Sequence, residues 1–191
     1  AGQGLAGSCR HVARLVFMGL ISTGLLHAGD WPRFRGPDGR GVSDETGLPS
    51  EWRDAQNLRW KIPLPGPGSS SPIVYGDRLF ITCYSGYGTA KAAGSLNDLK
   101  RHLLCIDPET GKMKWSKTVP STAAEDPWRG GLREHGYASS TPVCDGERVF
   151  VFFGKTGVLA YGLEGEEIWR RELGTASSNR RWGSASSPII C

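Results

Sequence analysis

Two stretches of this sequence gather side chains able to hold a ligand. Asp126-Pro127-Trp128-Arg129-Gly130-Gly131-Leu132-Arg133-Glu134-His135-Gly136-Tyr137 places guanidinium, carboxylate, imidazole and phenol groups close together, and Asn179-Arg180-Arg181-Trp182-Gly183 adds further guanidiniums beside an indole. Arginine pairs with carboxylates and phosphates through a planar fork, histidine exchanges protons near neutral pH, and aromatic rings offer stacking faces. Arg133, Glu134, His135, Tyr137, Arg180 and Trp182 are therefore the candidate ligand-binding residues. On the competing reading, Trp128 and Trp182 pack between structural units and the charges are solvated or paired locally.

Other chemistries have less support. Gly2-Gln3-Gly4-Leu5-Ala6-Gly7 matches the letters of a dinucleotide fingerprint, but no strand pattern precedes it. Beyond the first 28 residues only His102 and His135 are available as imidazole ligands, and neither stands at a ligand spacing to a second His or Cys, so no metal site is expected. Cys83, Cys105, Cys144 and Cys191 form no CxxC; Cys83 and Cys105 fall on adjacent strands, either bridged or simply buried as small residues. No G-x-S-x-G elbow occurs, and no catalytic residue is assigned. Glu166 and Glu167 are adjacent on a strand and point to opposite faces, which excludes shared acid–base work.

Charge excludes a further class. The formal charge is +4, and setting aside Arg10 and Arg14 leaves 21 basic against 19 acidic residues. That near-neutral balance argues against nucleic acid or an anionic membrane as partner. Arg10 and Arg14 introduce the apolar run Leu15 to Leu26, followed by the small residue Ala28. This is the layout of a signal peptide over residues 1–28, and the run falls short of the roughly 20 residues a spanning helix needs. Export to the periplasm or cell envelope is expected, with an uncleaved anchor as the alternative.

The elements that must position the candidate residues come from a repeat. Cys105-Ile106-Asp107-Pro108-Glu109-Thr110-Gly111-Lys112-Met113-Lys114-Trp115 reads as strand, tight turn and returning strand, and Ala160 to Trp169 repeats it with a turn one residue shorter. Trp60 to Trp115 spans 55 residues and Trp115 to Trp169 spans 54, a period typical of propellers and solenoids. Ser70-Ser71-Pro72, Ser140-Thr141-Pro142 and Ser187-Pro188 open successive units. Each full unit then carries four short antiparallel strands, so the expected fold is all-β, a β-propeller with about two and a half blades present. The expected organisation is a lead-in segment over 29–65 with an outer strand near Trp60, then blades over 66–119 and 138–173 and a truncated one over 184–191. Because the third unit stops at Cys191 inside its first strand, the chain is expected to be a portion of a longer protein. An open blade edge favours association.

Asp107, Thr110, Gly111 and Trp115 resemble the tryptophan-docking repeat of the PQQ-like, quinoprotein-type propeller family, Ala-x-Asp-x-x-Thr-Gly-x-x-x-Trp. Cys105 replaces the Ala, and the second copy has Gly162 in place of the Asp. Trp31-Pro32-Arg33-Phe34-Arg35-Gly36-Pro37 and the Ser-Ser-Pro openers look like a bacterial exported branch of that family. The resemblance covers Asp30 to Cys191. It implies that Trp60, Trp115 and Trp169, with Gly111 and Gly165, dock neighbouring blades. It also implies PQQ and calcium for the dehydrogenases of the family, which typically carry an adjacent Cys-Cys pair; none occurs in this chain.

Antiparallel alternation assigns each loop to one end of the units. Tyr75–Arg78, Asp107–Gly111, Asp145–Arg148 and Glu164-Gly165 trim one end to tight turns. Pro72 to Pro142 spans 70 residues and Pro142 to Pro188 spans 46; the 24 extra residues fall in Tyr84–Arg101 and Pro120–Tyr137, at the other end. Long loops on one face of a rigid scaffold are where binding usually sits. The expected function is an exported, non-catalytic propeller that binds a protein or small-molecule ligand there, with a PQQ- and calcium-dependent alcohol or sugar dehydrogenase as the alternative.

Overall fold

A computed structural model describes residues 29–54, 56–89, 94–121, 125–177, 179–180 and 182–191. The leader read over residues 1–28 lies outside them. β1 (Ile73–Tyr75), β2 (Arg78–Ser85), β3 (Lys100–Ile106) and β4 (Met113–Pro120) form one antiparallel sheet in sequence order. β5 (Val143–Cys144), β6 (Arg148–Phe152), β7 (Val158–Gly162) and β8 (Glu167–Arg171) form a second in the same order. Helix is confined, among the described residues, to α1 (Leu132–His135) and two single 3-10 turns.

Period-two alternation divides each strand between two environments. Phe80 on β2 and Leu103 and Cys105 on β3 pack with Val149, Val151, Leu159 and Tyr161 of the second sheet, so the main core lies between the sheets. Leu79, Ile81 and Cys83, with Leu104 and Ile106, face the other way. That face is covered by Trp60, Ile62 and Leu64, which alternate with the exposed Lys61 and Pro63. No strand runs through Trp60: the segment is extended but has no ladder neighbour, which corrects the expected outer strand. Its side chains pack as expected; only the backbone pairing is missing.

The turns at the trimmed end explain the repeat. In the first, Asp107 Oδ1 accepts the amides of Glu109 and Thr110 and the Thr110 hydroxyl, while Gly111 N–H donates to Asp107 O. These bonds hold the Asp107 carboxyl below its ordinary range, the Thr110 amide contributing most. Trp60 lays its ring on this turn and donates its indole N–H to Pro108 O at 2.8 Å. Trp115 does the same one sheet later, donating to Leu163 O at 2.9 Å. Both turns need glycine beneath the indole. A Cβ on Gly111 (φ +70°) would fall 2.7 Å from the Trp60 ring, and one on Gly165 (φ +89°) 2.9 Å from that of Trp115. Phe80 packs on Trp115 at 5.8 Å and Phe150 on Trp169 at 5.9 Å, with tilts of 48° and 46°. Trp169 thus repeats the arrangement, although among the described residues no carbonyl receives its indole N–H.

The inner ends of the units are joined by a second repeated contact. Ser71 N–H donates to Thr141 Oγ1, and Thr141 N–H donates to Ser187 Oγ, each at 3.0 Å. All three residues precede the repeated proline. Ser187 therefore occupies the place of Thr141 one unit on, but residues 184–191 form no ladder, so the expected strand there is not formed. In the lead-in segment Trp31 exchanges both backbone bonds with Val74, and Pro32 O accepts Cys144 N–H. Phe34 is exposed beneath the Arg35 guanidinium.

Replacing Trp115 by Ala is expected to cost about 3–5 kcal/mol of folding stability. Gly165→Ala is expected to cost about 1–3 kcal/mol, because an L-residue in the left-handed region is strained even before it meets the indole. Denaturant unfolding measures both; a neutral Gly165→Ala would mean that the turn does not carry the docked ring.

Candidate functional site

The end opposite the tight turns carries a groove of about 680 Å³. Its walls are Leu64–Ser69, the segment from Tyr84 to Thr89, and Trp128 with Arg133–Gly136. Each wall has a local cause. The Pro-Gly-Pro-Gly run at 65–68 crosses β2 so closely that a Cβ on Gly68 would sit 2.6 Å from Thr82 O. Tyr84 N–H donates to Pro67 O, and Ser69 N–H to Ala138 O. Gly86 and Gly88 both take positive φ as the chain leaves β2, and a Cβ on Gly88 would fall 2.9 Å from the Trp128 ring.

Three of the six candidate residues line this groove: Arg133, Glu134 and His135, all on α1. Arg133 and Glu134 are exposed, and the Arg133 guanidinium lies over the Trp128 ring at 5.6 Å. His135 is committed at both nitrogens. Nε2 donates to Trp182 O at 2.7 Å, since a carbonyl only accepts, which leaves Nδ1 to accept from Ser139 Oγ at 2.8 Å. The imidazole therefore ties α1 to the 180s segment. Arg180 lies over Trp182 at 5.3 Å, beside α1 and outside the groove wall, and Trp182 is 54% exposed. Gly131 packs on the Trp182 ring.

Tyr137 goes elsewhere. It is buried, with its hydroxyl donating to Asp126 O at 2.7 Å and its ring in an edge contact with Tyr84. Burial pushes its phenol well above the ordinary range. Tyr137 belongs to a polar hub between the sheets. Arg101 of β3, 2% exposed, pairs with Glu125 at 2.7 Å and donates from Nε to Tyr137 O and from Nη1 to Thr156 Oγ1. Lys155 pairs with Asp126 at 3.3 Å, and both are bridged by Ser177 Oγ. The cavity beside this hub holds about 30 Å³, room for little more than one water. The groove, not the hub, has the size for a ligand.

Sequence reading missed Arg101 and Glu125, and it missed the Leu64–Ser69 wall. One signal was present for the first: Arg101 shares strand parity with Leu103 and Cys105, so its side chain had to enter the core. His102 has the opposite parity and is buried between Ser85 Oγ on Nε2 (2.8 Å) and Thr118 Oγ1 on Nδ1 (3.1 Å). Burial, then Lys100, pulls its imidazole below the ordinary value of 6.5. Cys83 and Cys105 are free thiols on opposite faces of the first sheet, paired in register with His102 and Phe80, so the bridging alternative fails on geometry. Burial pushes them up to about 11 and about 12, which leaves them protonated and unreactive at neutral pH.

Calcium takes six to eight oxygen ligands at about 2.3–2.6 Å. The groove offers one carboxylate, Glu134, and among the described residues no three His, Cys, Asp or Glu side chains gather closely enough to hold a metal ion. The residues of this groove do not fit a PQQ–calcium pair. Among the described residues no helix is long and apolar enough to cross a membrane.

A family model described as outer membrane protein assembly factor BamB, built on the PQQ-like repeat, matches residues 52–176, more than half of the chain. No curated protein matches.

Two outcomes follow from the buried polar groups. Arg101→Met is expected to destabilise the fold by about 3–5 kcal/mol, since it strands the Glu125 carboxylate. Adding Glu125→Leu is expected to recover part of that loss, and a double variant no better than the single one would contradict the pairing. His102 has a depressed folded pKa, so its contribution is complete above pH 6.5 and is lost as acid protonates the unfolded chain first. His102→Gln is therefore expected to flatten the fall in stability below pH 6.5, read by urea unfolding across that range.

Proposed function

The chain belongs to the PQQ-like repeat family, and from that premise we propose that it is part of an exported β-propeller-type protein that binds a partner without catalysis of its own. The groove between Leu64–Ser69, Ser85–Thr89 and α1 is the observation that carries this reading. Its walls are loops and one helical turn set on two rigid sheets, which suits recognition. Both histidines of the described residues and two thiols are otherwise engaged: His135 bonds at both nitrogens, His102 is buried between two hydroxyls, and burial keeps the Cys83 and Cys105 thiols protonated.

The four-stranded sheets are read as blades. A repeat whose contact runs in one direction, Ser71 to Thr141 to Ser187, propagates until it closes into a ring or continues as a stack. Trp169 and Phe150 then present the same face to a following unit that Trp115 and Phe80 present to the second sheet. The name of the matched family, an outer membrane assembly factor, supports an envelope location and a protein as partner.

A photo-crosslinking side chain tests the assignment of faces. Placed at Ser69 in the groove of the protein in its native cells, it is expected to capture a discrete partner. Placed at Glu147 in a tight turn, it is expected to capture none. Equal capture from both sites, or capture from Glu147 alone, would contradict the reading, as would dye reduction by the purified protein supplied with PQQ and Ca²⁺.

A further inference from the structure

We propose that the groove takes an acidic peptide segment of a partner protein that also carries an aromatic or other apolar side chain. The inference rests on the loop face being the binding face. Unmatched positive charge points to it. At the tight-turn end four of the cations are matched, Arg59 with Glu109, Arg78 with Asp77 and Glu164, Lys114 with Asp77, and Arg148 with Glu147, while Lys112 stands exposed without an ion pair among the described residues. Between the sheets Arg101 holds Glu125 and Lys155 holds Asp126. On the loop face Arg129, Arg133 and Arg180 are exposed, and among the described residues no carboxylate lies within ion-pair distance of any of them. Of the three, Arg133 lines the groove and Arg129 and Arg180 stand on the same face beyond its wall; against them α1 sets one carboxylate, Glu134.

Two of the arginines are also held in place. Arg133 lies on Trp128, whose ring packs on the buried cluster of Tyr84, Leu132 and Tyr137, and Arg180 lies on Trp182, whose ring rests on Gly131 and whose carbonyl accepts from His135. A guanidinium stacked on an indole keeps its in-plane N–H fork open to a carboxylate. Ordering the side chain beforehand lowers the cost of binding. The apolar half of the recognition comes from Leu64, Pro65 and Tyr84.

An acidic peptide fits this combination better than a phosphate-rich polymer, which needs extended basic surface and no apolar floor. Residues 1–28 carry Arg10 and Arg14 and no acidic residue, so they are not complementary to the groove. The exposed Asp44-Glu45 of a second copy has the right charge and is separated by the test.

The test is fluorescence anisotropy of the full chain with three labelled peptides, one of Glu, Tyr and Gly and two in which Gln or Lys replaces Glu. The Glu peptide is expected to bind, the Gln peptide more weakly and the Lys peptide not at all. Added salt should weaken binding, because exposed charges are screened over about 8–10 Å. Arg133→Ala, in the groove wall, should weaken it about two- to fivefold, Arg180→Ala beyond the wall should weaken it less, and Ser69→Trp should block it. Far-ultraviolet spectra of the variants should match the parent, as all three residues are at the surface. Equal binding of the Gln or Lys peptide, lost in Ser69→Trp, would overturn the acidic preference and leave the groove as the site. Binding of none of the three would overturn both. Capture of phosphatidylglycerol vesicles in place of the Glu peptide would overturn the peptide assignment. Self-association abolished by Asp44→Lys with Glu45→Lys would give the groove to a second copy.

Discussion

An indole seated on a glycine turn is the contact on which the rest of this structure depends. A four-stranded antiparallel meander buries one face at most, and its second face must be closed by something else. Here that closure is made by Trp115, which reaches out of the first sheet, bonds Leu163 O and covers Gly165 at the tip of the second. The same contact made by Trp60 on Pro108 O and Gly111 closes the outer face of the first sheet, even though Trp60 lies in a segment without strand pairing. Side-chain docking, more than ladder hydrogen bonds, is what passes order from one unit to the next.

That contact also divides labour between the ends of the molecule. Docking needs short turns with glycine at a fixed place, and at that end Arg59, Arg78 and Lys114 pair with neighbouring carboxylates. The long connections lie at the other end, where the chain between β2 and β3 and between β4 and β5 builds the groove. The hub of Arg101, Glu125 and Tyr137 stands under that end and links the loops to both sheets. A buried ion pair of this kind is weak evidence for stability, but it fixes the position of the loops above it.

The fold was legible because its signals are local and repeated. Strand alternation, Asp-to-Gly turns and tryptophans at a period of 55 and 54 residues each mark a position without knowledge of the rest. The site was legible only in part. Arg133, Glu134 and His135 stand together because one helical turn carries them, but Tyr137, two residues on, turns into the core because Gly136 (φ +71°) reverses the chain. Spacing in a loop does not reveal such a reversal. The Leu64–Ser69 wall was hidden for a related reason: a Pro-Gly-Pro-Gly run has no periodicity, and its place is set by tertiary contacts with Thr82 and Tyr84.

Site-resolved amide hydrogen exchange on the intact protein tests the division of labour most directly. The docked turns should be as protected as the sheets, so the amides of Gly111 and Gly165, bonded to Asp107 O and Gly162 O, should exchange only with global unfolding. The loop-end amides around Gly86–Gly88 and Arg129–Gly131 should exchange sooner, through local opening. Turn amides that exchange as early as the loops, in a protein whose sheets stay protected, would contradict the account.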